Sequence, residues 1–264
     1  MDDAGADAMT WIRAHLADIL IRLAAVAALV GFWWWATARA QSLFFPTPDT
    51  VFEAVWNDWL TNMGESWREN FWPSLKRLLL GFGLAAFLSV VIGVAIGRSR
   101  KFGDYVEPII HFIRAIPPPA FLPLFIILLG IGDLQKVVLI AIGVFPPILL
   151  NTIDGVRSID PQQFDTAEVF QIGKVRRVTH VILPAAAPKI FAGLRISMSI
   201  AVILMVISEL FAATDGLGFR ILQSSRQFKY VELWAGIVVL GVVGTVLNGL
   251  LLLVERRVLR WRVN

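Results

Sequence analysis

The chain has 264 residues, 57% of them hydrophobic and 17% charged, with no cysteine and a mean hydropathy of +0.70. That much apolar surface does not fit inside one soluble core, so a soluble globular domain is excluded and a polytopic membrane protein is indicated. The net charge of +4 does not point to nucleic acid, because the basic residues cluster at the ends of apolar segments, and the missing cysteines exclude disulfides, thiolate nucleophiles and zinc–thiolate sites.

Residues 1–18 read as a cytosolic N-terminal tail, acidic at Asp2, Asp3 and Asp7, and residues 19–264 as a single transmembrane domain. The first apolar segment, about Ile19 to Ala38, suits a span of roughly 20 residues and ends in an interfacial belt, Trp33-Trp34-Trp35. Ala38-Arg39-Ala40 imitates a signal-peptidase site, but the acidic flank and the long apolar run favour a retained span. In the outer connection from Gln41 to Trp72, Thr50-Val51-Phe52-Glu53 fits a capping box. Val51, Val55, Trp56 and Trp59 form an apolar stripe that suits the outer membrane surface, a partner, or the chain's own spans. The second span, about Leu75 to Gly97, carries Gly93 and Gly97 at a spacing that lets helices approach closely.

Arg98, Arg100 and Lys101 follow in a tight loop and mark the cytosolic side. The third apolar segment, about Pro108 to Ile131, is broken by Pro117-Pro118-Pro119, and the fourth, about Leu134 to Ile153, is interrupted at Phe145-Pro146-Pro147. An interior proline removes a backbone donor and crowds the carbonyl four residues back, and in lipid the freed groups need protein or a wet cavity. Two readings stand. Either Pro117, Pro118 and Pro146 line a solute pathway, or the three prolines only begin a shorter span, with His111 and Arg114 on a cytosolic helix before it.

The interval 154–189 is polar and lies between apolar segments. Asp160 suits an N-cap, Pro161 the first helical position and Gln163 the reciprocal partner of a capping box. Phe164, Ala167 and Phe170 recur on one face, with Asp165, Glu168 and Gln171 elsewhere, so a short amphipathic helix is expected, with Gly173 as its stop. A basic turn, Lys174 to His180, follows; Pro184 and Pro188, four apart, are expected to forbid a continuous helix. The fifth span, about Ile190 to Ala212, puts Gly193, Ser197, Ala201, Met205 and Ser208 on one face. Packing suits Gly193 and Ala201; lining of a passage suits Ser197, Met205 and Ser208. Glu209, the single acid in that run, is expected to pair, cap or reach the interface; capping of the turn from Asp215 to Gly218 is favoured over contact with solute, and the residue stands among the pathway-lining candidates. The sixth span, about Leu233 to Val254, ends in the basic tail Glu255-Arg256-Arg257. Six spans place both termini, the Arg98 loop and the 154–189 interval on the cytosolic face. Arg39, Arg68, Lys76 and Arg77 fall outside, against the rule, in a long first loop where the rule is weak.

Asp165-Thr166-Ala167, Leu183-Pro184 and Gly193-Leu194-Arg195 resemble the EAA loop of permease subunits in binding-protein-dependent ABC importers. Arg114-Ala115-Ile116-Pro117-Pro118, Gly130-Ile131-Gly132, Asn151-Thr152 and Ser208-Glu209-Leu210-Phe211 through Gly216-Leu217-Gly218 resemble the aliphatic sulfonate, taurine and nitrate type. Asp165 stands where that family usually has Glu, Thr166 where it has Ala, and Gln171 where a Gly is usual. The resemblance implies an all-α type I importer permease in the bacterial inner membrane, working as a homodimer with two ATP-binding subunits and an extracytoplasmic solute-binding protein. It implies ATPase coupling through Asp160, Pro161, Phe164, Asp165, Ala167, Glu168, Gln171, Gly173, Arg176 and Arg177. Asp165 is expected to hold the loop by local hydrogen bonds. A small anion such as a sulfonate or nitrate is the implied solute, with ATP and magnesium held by the partner ATPase and no cofactor or metal by this chain.

No phosphate-binding Gly-x-x-x-x-Gly-Lys-Ser/Thr occurs, and His15, His111 and His180 are scattered, with no acid pair at catalytic or metal spacing. The chain is thus expected to be a non-catalytic subunit. The competing class, an ion-coupled secondary transporter or channel subunit, needs intramembrane acids, and Glu209 alone offers itself.

Overall fold

The structure, a computed structural model, describes residues 3–40 and 42–261. Helices account for most of the described residues, and no strand occurs among them. Five helices are long and apolar enough to cross a membrane, and a bent pair makes a sixth when counted as one span. Helix α1 (Asp3–Ala40) is continuous. Residues 3–18 are thus helical, and the stretch long and apolar enough to cross a membrane is Leu23–Ala40.

Helix α2 (residues 48–61) begins earlier than the Thr50 box implied. Thr47 is extended at the N-cap and Pro48, with its preset φ, takes the first helical position. The apolar stripe splits, with Val51 and Trp59 in the core and Trp56 outside. Helix α3 (Met63–Gly97) joins the end of the outer connection to the second span. Its Gly81 and Gly93 press on Ile140 and Thr152 of α6 (Asp133–Arg157), the central helix, which packs along both α3 and α8 (Lys174–Phe211). A Cβ on Gly93 would lie 2.7 Å from the Thr152 Cβ, whereas one on Gly83 meets nothing within 4 Å. Gly93→Ala is therefore expected to destabilise the protein by about 1–3 kcal/mol, as overpacking does. Gly83→Ala should be neutral or slightly stabilising, and thermal unfolding of the detergent-solubilised variants compares the two.

Helix α4 (Arg100–Ala115) is capped by Ser99, whose Oγ accepts from the Phe102 amide at 3.3 Å. It ends at an 80° bend before the segment Pro118–Leu129, which contains α5 (Leu122–Leu129). His111 and Arg114 are exposed on α4, so the prolines begin a short segment instead of breaking a long one. Twelve residues of this segment rise only about 18 Å, short of the roughly 30 Å hydrocarbon core, so it counts as a span only together with α4.

Two expected helix breaks are absent. Helix α6 runs through Pro146 and Pro147 without interruption. Side-chain donors meet the carbonyls around the prolines: Ser197 Oγ donates to Val144 O at 3.3 Å, Ser89 Oγ to Phe145 O at 3.0 Å, and Asn151 Nδ2 to Pro147 O at 2.8 Å. In α8, a widened turn over Val178–Ile182 absorbs the two prolines, and the helix continues past Pro184 and Pro188. The outer helix α9 (Leu217–Arg226) and the last span α10 (Tyr230–Val258) complete the fold.

Candidate functional site

Helix α7 (Pro161–Val169) projects from the junction of α6 and α8. Asp160 Oδ1 accepts from the Gln162 amide at 2.9 Å; the cap is made there, and Gln163 lines a neighbouring cleft. The C-terminus closes with the amide of Ile172 donating to Ala167 O and that of Gln171 to Glu168 O, both at 2.9 Å. This paired bonding needs a left-handed residue at its centre, and Gln171 has φ 53°. The stop is Gln171, not Gly173, whose extended backbone instead precedes the basic turn Lys174–Arg177. A side chain in the left-handed region is strained by about 1–2 kcal/mol, less what glycine loses in unfolded-chain freedom. Gln171→Gly should therefore raise stability modestly and Gln171→Val should lower it by about 1–2 kcal/mol, read from thermal midpoints.

The expected apolar face divides. Ala167 is 1% exposed, and Phe164 packs against the cluster of Val156, Ile159, Ile182 and Ile190, joining the end of α6 to the start of α8. Phe170 turns outward, 75% exposed, beside exposed Val169 and Val175. The loop's ends are tied together: Lys189 Nζ donates to Asp154 O at 3.2 Å, and Gly155 lies against Ala186. Two clefts flank α7. One, of about 630 Å³, is lined by Asp160, Gln163, Thr166, Ile172, His180 and Trp261. The other, of about 360 Å³, is lined by Arg98, Arg157 and Arg177 with Phe164 and Asp165. Asp165 makes no hydrogen bond to its own loop among the described residues and faces this arginine-lined cleft instead. Glu168 and Arg176 are exposed.

At the opposite end of the spans sits a polar cluster in which Glu209 pairs and caps the following turn as expected, while its partners on α3 went unforeseen. Glu209 is fully buried, with Ser74 Oγ 2.7 and 2.8 Å from its two oxygens, Arg77 Nη1 at 2.9 Å and the Gly218 amide at 2.9 Å. Ser74 Oγ also accepts from the Leu217 amide at 2.8 Å. Arg77, itself buried, donates through Nε to Asp133 at 2.6 Å and through Nη2 to Asp215. Gly216 has φ 108°, and a Cβ there would come within 2.6 Å of the Glu209 carboxylate, so glycine is required twice over. One signal was available: a Lys76-Arg77 pair on the wrong side for topology, entering an apolar span, asks for a partner.

The remaining pathway candidates are less open than expected. Pro146, Ser197, Met205 and Ser208 are buried inside the protomer, where Ser197 bonds to α6. Pro117 is exposed, and Pro118 lies half-buried near Gly143. The outward face of α8 carries Ile196, Ser199 and Ile203.

Residues 87–260 match the family described as binding-protein-dependent transport system inner membrane component. The chain belongs to that family. This permease is 37% identical over 190 residues to the putative aliphatic sulfonates transport permease protein SsuC of Bacillus subtilis, covering 72% of this chain and 68% of the relative. It is 32% identical over 254 residues to the taurine transport system permease protein TauC of Escherichia coli, covering 92% and 90%. Among solved structures, an inward-facing MetNI methionine ABC transporter chain superposes with a TM-score of 0.56 at 20% identity, covering 74% of this permease and 95% of that chain. The fold is that of a type I ABC importer permease subunit.

Proposed function

We propose that this permease forms a solute pathway as a homodimer and is driven through α7 by two separate ATP-binding subunits that hold ATP and magnesium. A solute-binding protein delivers cargo on the outer side, and both termini lie in the cytosol, where the Arg98 loop, the 154–189 interval and the basic tail share one face. The two-sidedness of α7 carries this reading: Phe164 and Ala167 seat it on α6 and α8, while Val169, Phe170 and Val175 stand free at its tip. A push on the tip is thereby carried to the two helices that hold the core. An ATPase groove is the surface those exposed side chains suit, and rigid displacement of α6 and α8 converts its closure into alternating access. The face of α8 with Ile196, Ser199 and Ile203 points away from α6 and is free to meet solute or the second copy.

The saturation of Glu209 weighs against an ion-coupled transporter or channel. Its carboxylate already holds donors from Ser74, Arg77 and Gly218, so it is a structural anchor and not an open proton or cation relay. A small anion, such as a sulfonate or nitrate, is the solute we assign, supported by the aliphatic sulfonates and taurine for which SsuC and TauC are named. Copurification of the full transporter with its binding protein, followed by mass spectrometry of the released ligand, should yield an organic or inorganic anion. A ligand without a sulfonate or other anionic group would overturn the substrate assignment while leaving the coupling mechanism standing.

A further inference from the structure

We propose that α2 is an interfacial anchor whose Phe52, Trp56 and Leu60 side chains enter the headgroup boundary of the outer leaflet. Its faces divide at helical spacing. Val51 and Trp59 are buried against the bundle, with Val55 packed beside them. Asp49, Glu53 and Asn57 are exposed and polar. Between these faces run Phe52, Trp56 and Leu60, at i, i+4 and i+8, all exposed, Trp56 by 64%. A helix with one face already packed in the core and a second apolar face left uncovered needs a further apolar medium.

The level at which α2 lies identifies that medium. Helix α10 has 29 residues, a rise of about 43 Å, of which roughly 20 residues fill the hydrocarbon core. Its inner end is marked by Arg256 and Arg257, so counting about 20 residues back from Val254 reaches Ala235 at the outer edge of the core. Trp59 of α2 sits at that point: a Cβ on Gly236 would meet its Cζ2 at 3.8 Å, and Ala235 is fully buried. An aromatic girdle is fixed at the same height. Trp234 Nε1 donates to Phe44 O at 3.0 Å, the Phe44 and Tyr230 rings are 4.8 Å apart, and the tilted rings of Trp33, on α1, and Trp234 are 5.7 Å apart. Exposed Trp34 and Trp35 near the end of α1, and exposed Leu43, Phe44 and Phe45 before α2, flank this girdle. Tryptophan and tyrosine concentrate at this depth because their rings are apolar and their edges polar. Lysine and arginine are absent from α2, so attachment rests on apolar burial and not on attraction to anionic lipid.

The absence of cysteine from the chain allows clean single-site labelling. Nitroxide labels at Phe52→Cys and Trp56→Cys, with Glu53→Cys and Asn57→Cys as counterparts on the polar face, are read in the full-length permease in nanodiscs. Discs of phosphatidylethanolamine alone and discs with added phosphatidylglycerol are compared, by collision with oxygen and with a water-soluble nickel chelate. Insertion predicts that the two aromatic-site labels meet oxygen severalfold more than nickel, that the two polar-site labels show the reverse, and that added phosphatidylglycerol changes neither. Nickel access at position 56 equal to that at 57 places the face in water and overturns the proposal. Protection of position 56 from both reagents places protein over it, a second copy or the binding protein, and overturns it equally.

Discussion

Glu209→Ala is expected to leave little folded permease in the membrane. The substitution removes the acceptor shared by Ser74, Arg77 and the Gly218 amide, three donors from two distant segments, and opens the contact that seats Gly216. Deleting one partner of a buried ion pair typically costs on the order of 3 to 5 kcal/mol, because the surviving charge stays buried. Arg77 retains Asp133 and Asp215, which limits the loss on its side. Glu209→Gln keeps the shape and one accepting oxygen, its amide nitrogen facing donors, and a milder fall in thermal midpoint than for alanine is expected, with uptake falling in proportion to the folded protein. Normal folding of Glu209→Gln with transport abolished is the outcome that an ion-coupled carrier requires, and it would restore that rival.

Ala167→Arg is expected to leave the permease in the membrane and to release the ATPase. Ala167 is 1% exposed on the inner face of α7, next to Ile172, the residue that closes the helix. A guanidinium there must leave through the adjacent cleft, lifting Phe164 from its seat between Val156, Ile159 and Ile182. The main core cluster, built from α2, α3, α6, α8, α9 and α10, does not include these residues and should survive. A loss of about 1.4 kcal/mol in the joint already lowers partner binding about tenfold, so ATP-dependent uptake should fall by at least that factor. Pull-down of the ATP-binding subunit with the tagged permease separates this from misfolding. Retained partner and full uptake would contradict coupling through α7.

The spans and the start of α7 were legible in the sequence because each rests on local physics. Hydrophobic length marks the spans, and Asp160-Pro161 marks the helix start whatever lies around it. The misreadings have two causes: some deciding groups come from other helices, and some local backbone conformations are not announced by residue type. Pro146 and Pro147 look like a break, yet α6 runs on through them between α3 and α8, whose Ser89 and Ser197 donate to the carbonyls of Phe145 and Val144. Pro184 and Pro188 look like a stop until the widened turn before them relieves the crowding. Gln171 gives no local sign of a left-handed conformation; only the closing bonds of Ile172 and Gln171 itself impose it. The face from Gly193 to Ser208 had the composition of a channel lining, but small residues also admit a close neighbour, and α6 fills that space. Arg77 was visible as an anomaly, while its partners, 56 to 138 residues away, were not.

The most direct test places a single cysteine at the tip of α7, Phe170→Cys, in this naturally cysteine-free chain. Membrane-impermeant maleimide is applied to right-side-out and inside-out vesicles, with and without the ATP-binding subunits. Docking at a cytosolic joint predicts labelling in inside-out vesicles alone, and protection once the ATP-binding subunits assemble. Labelling from the outside, or reactivity indifferent to those subunits, would contradict it.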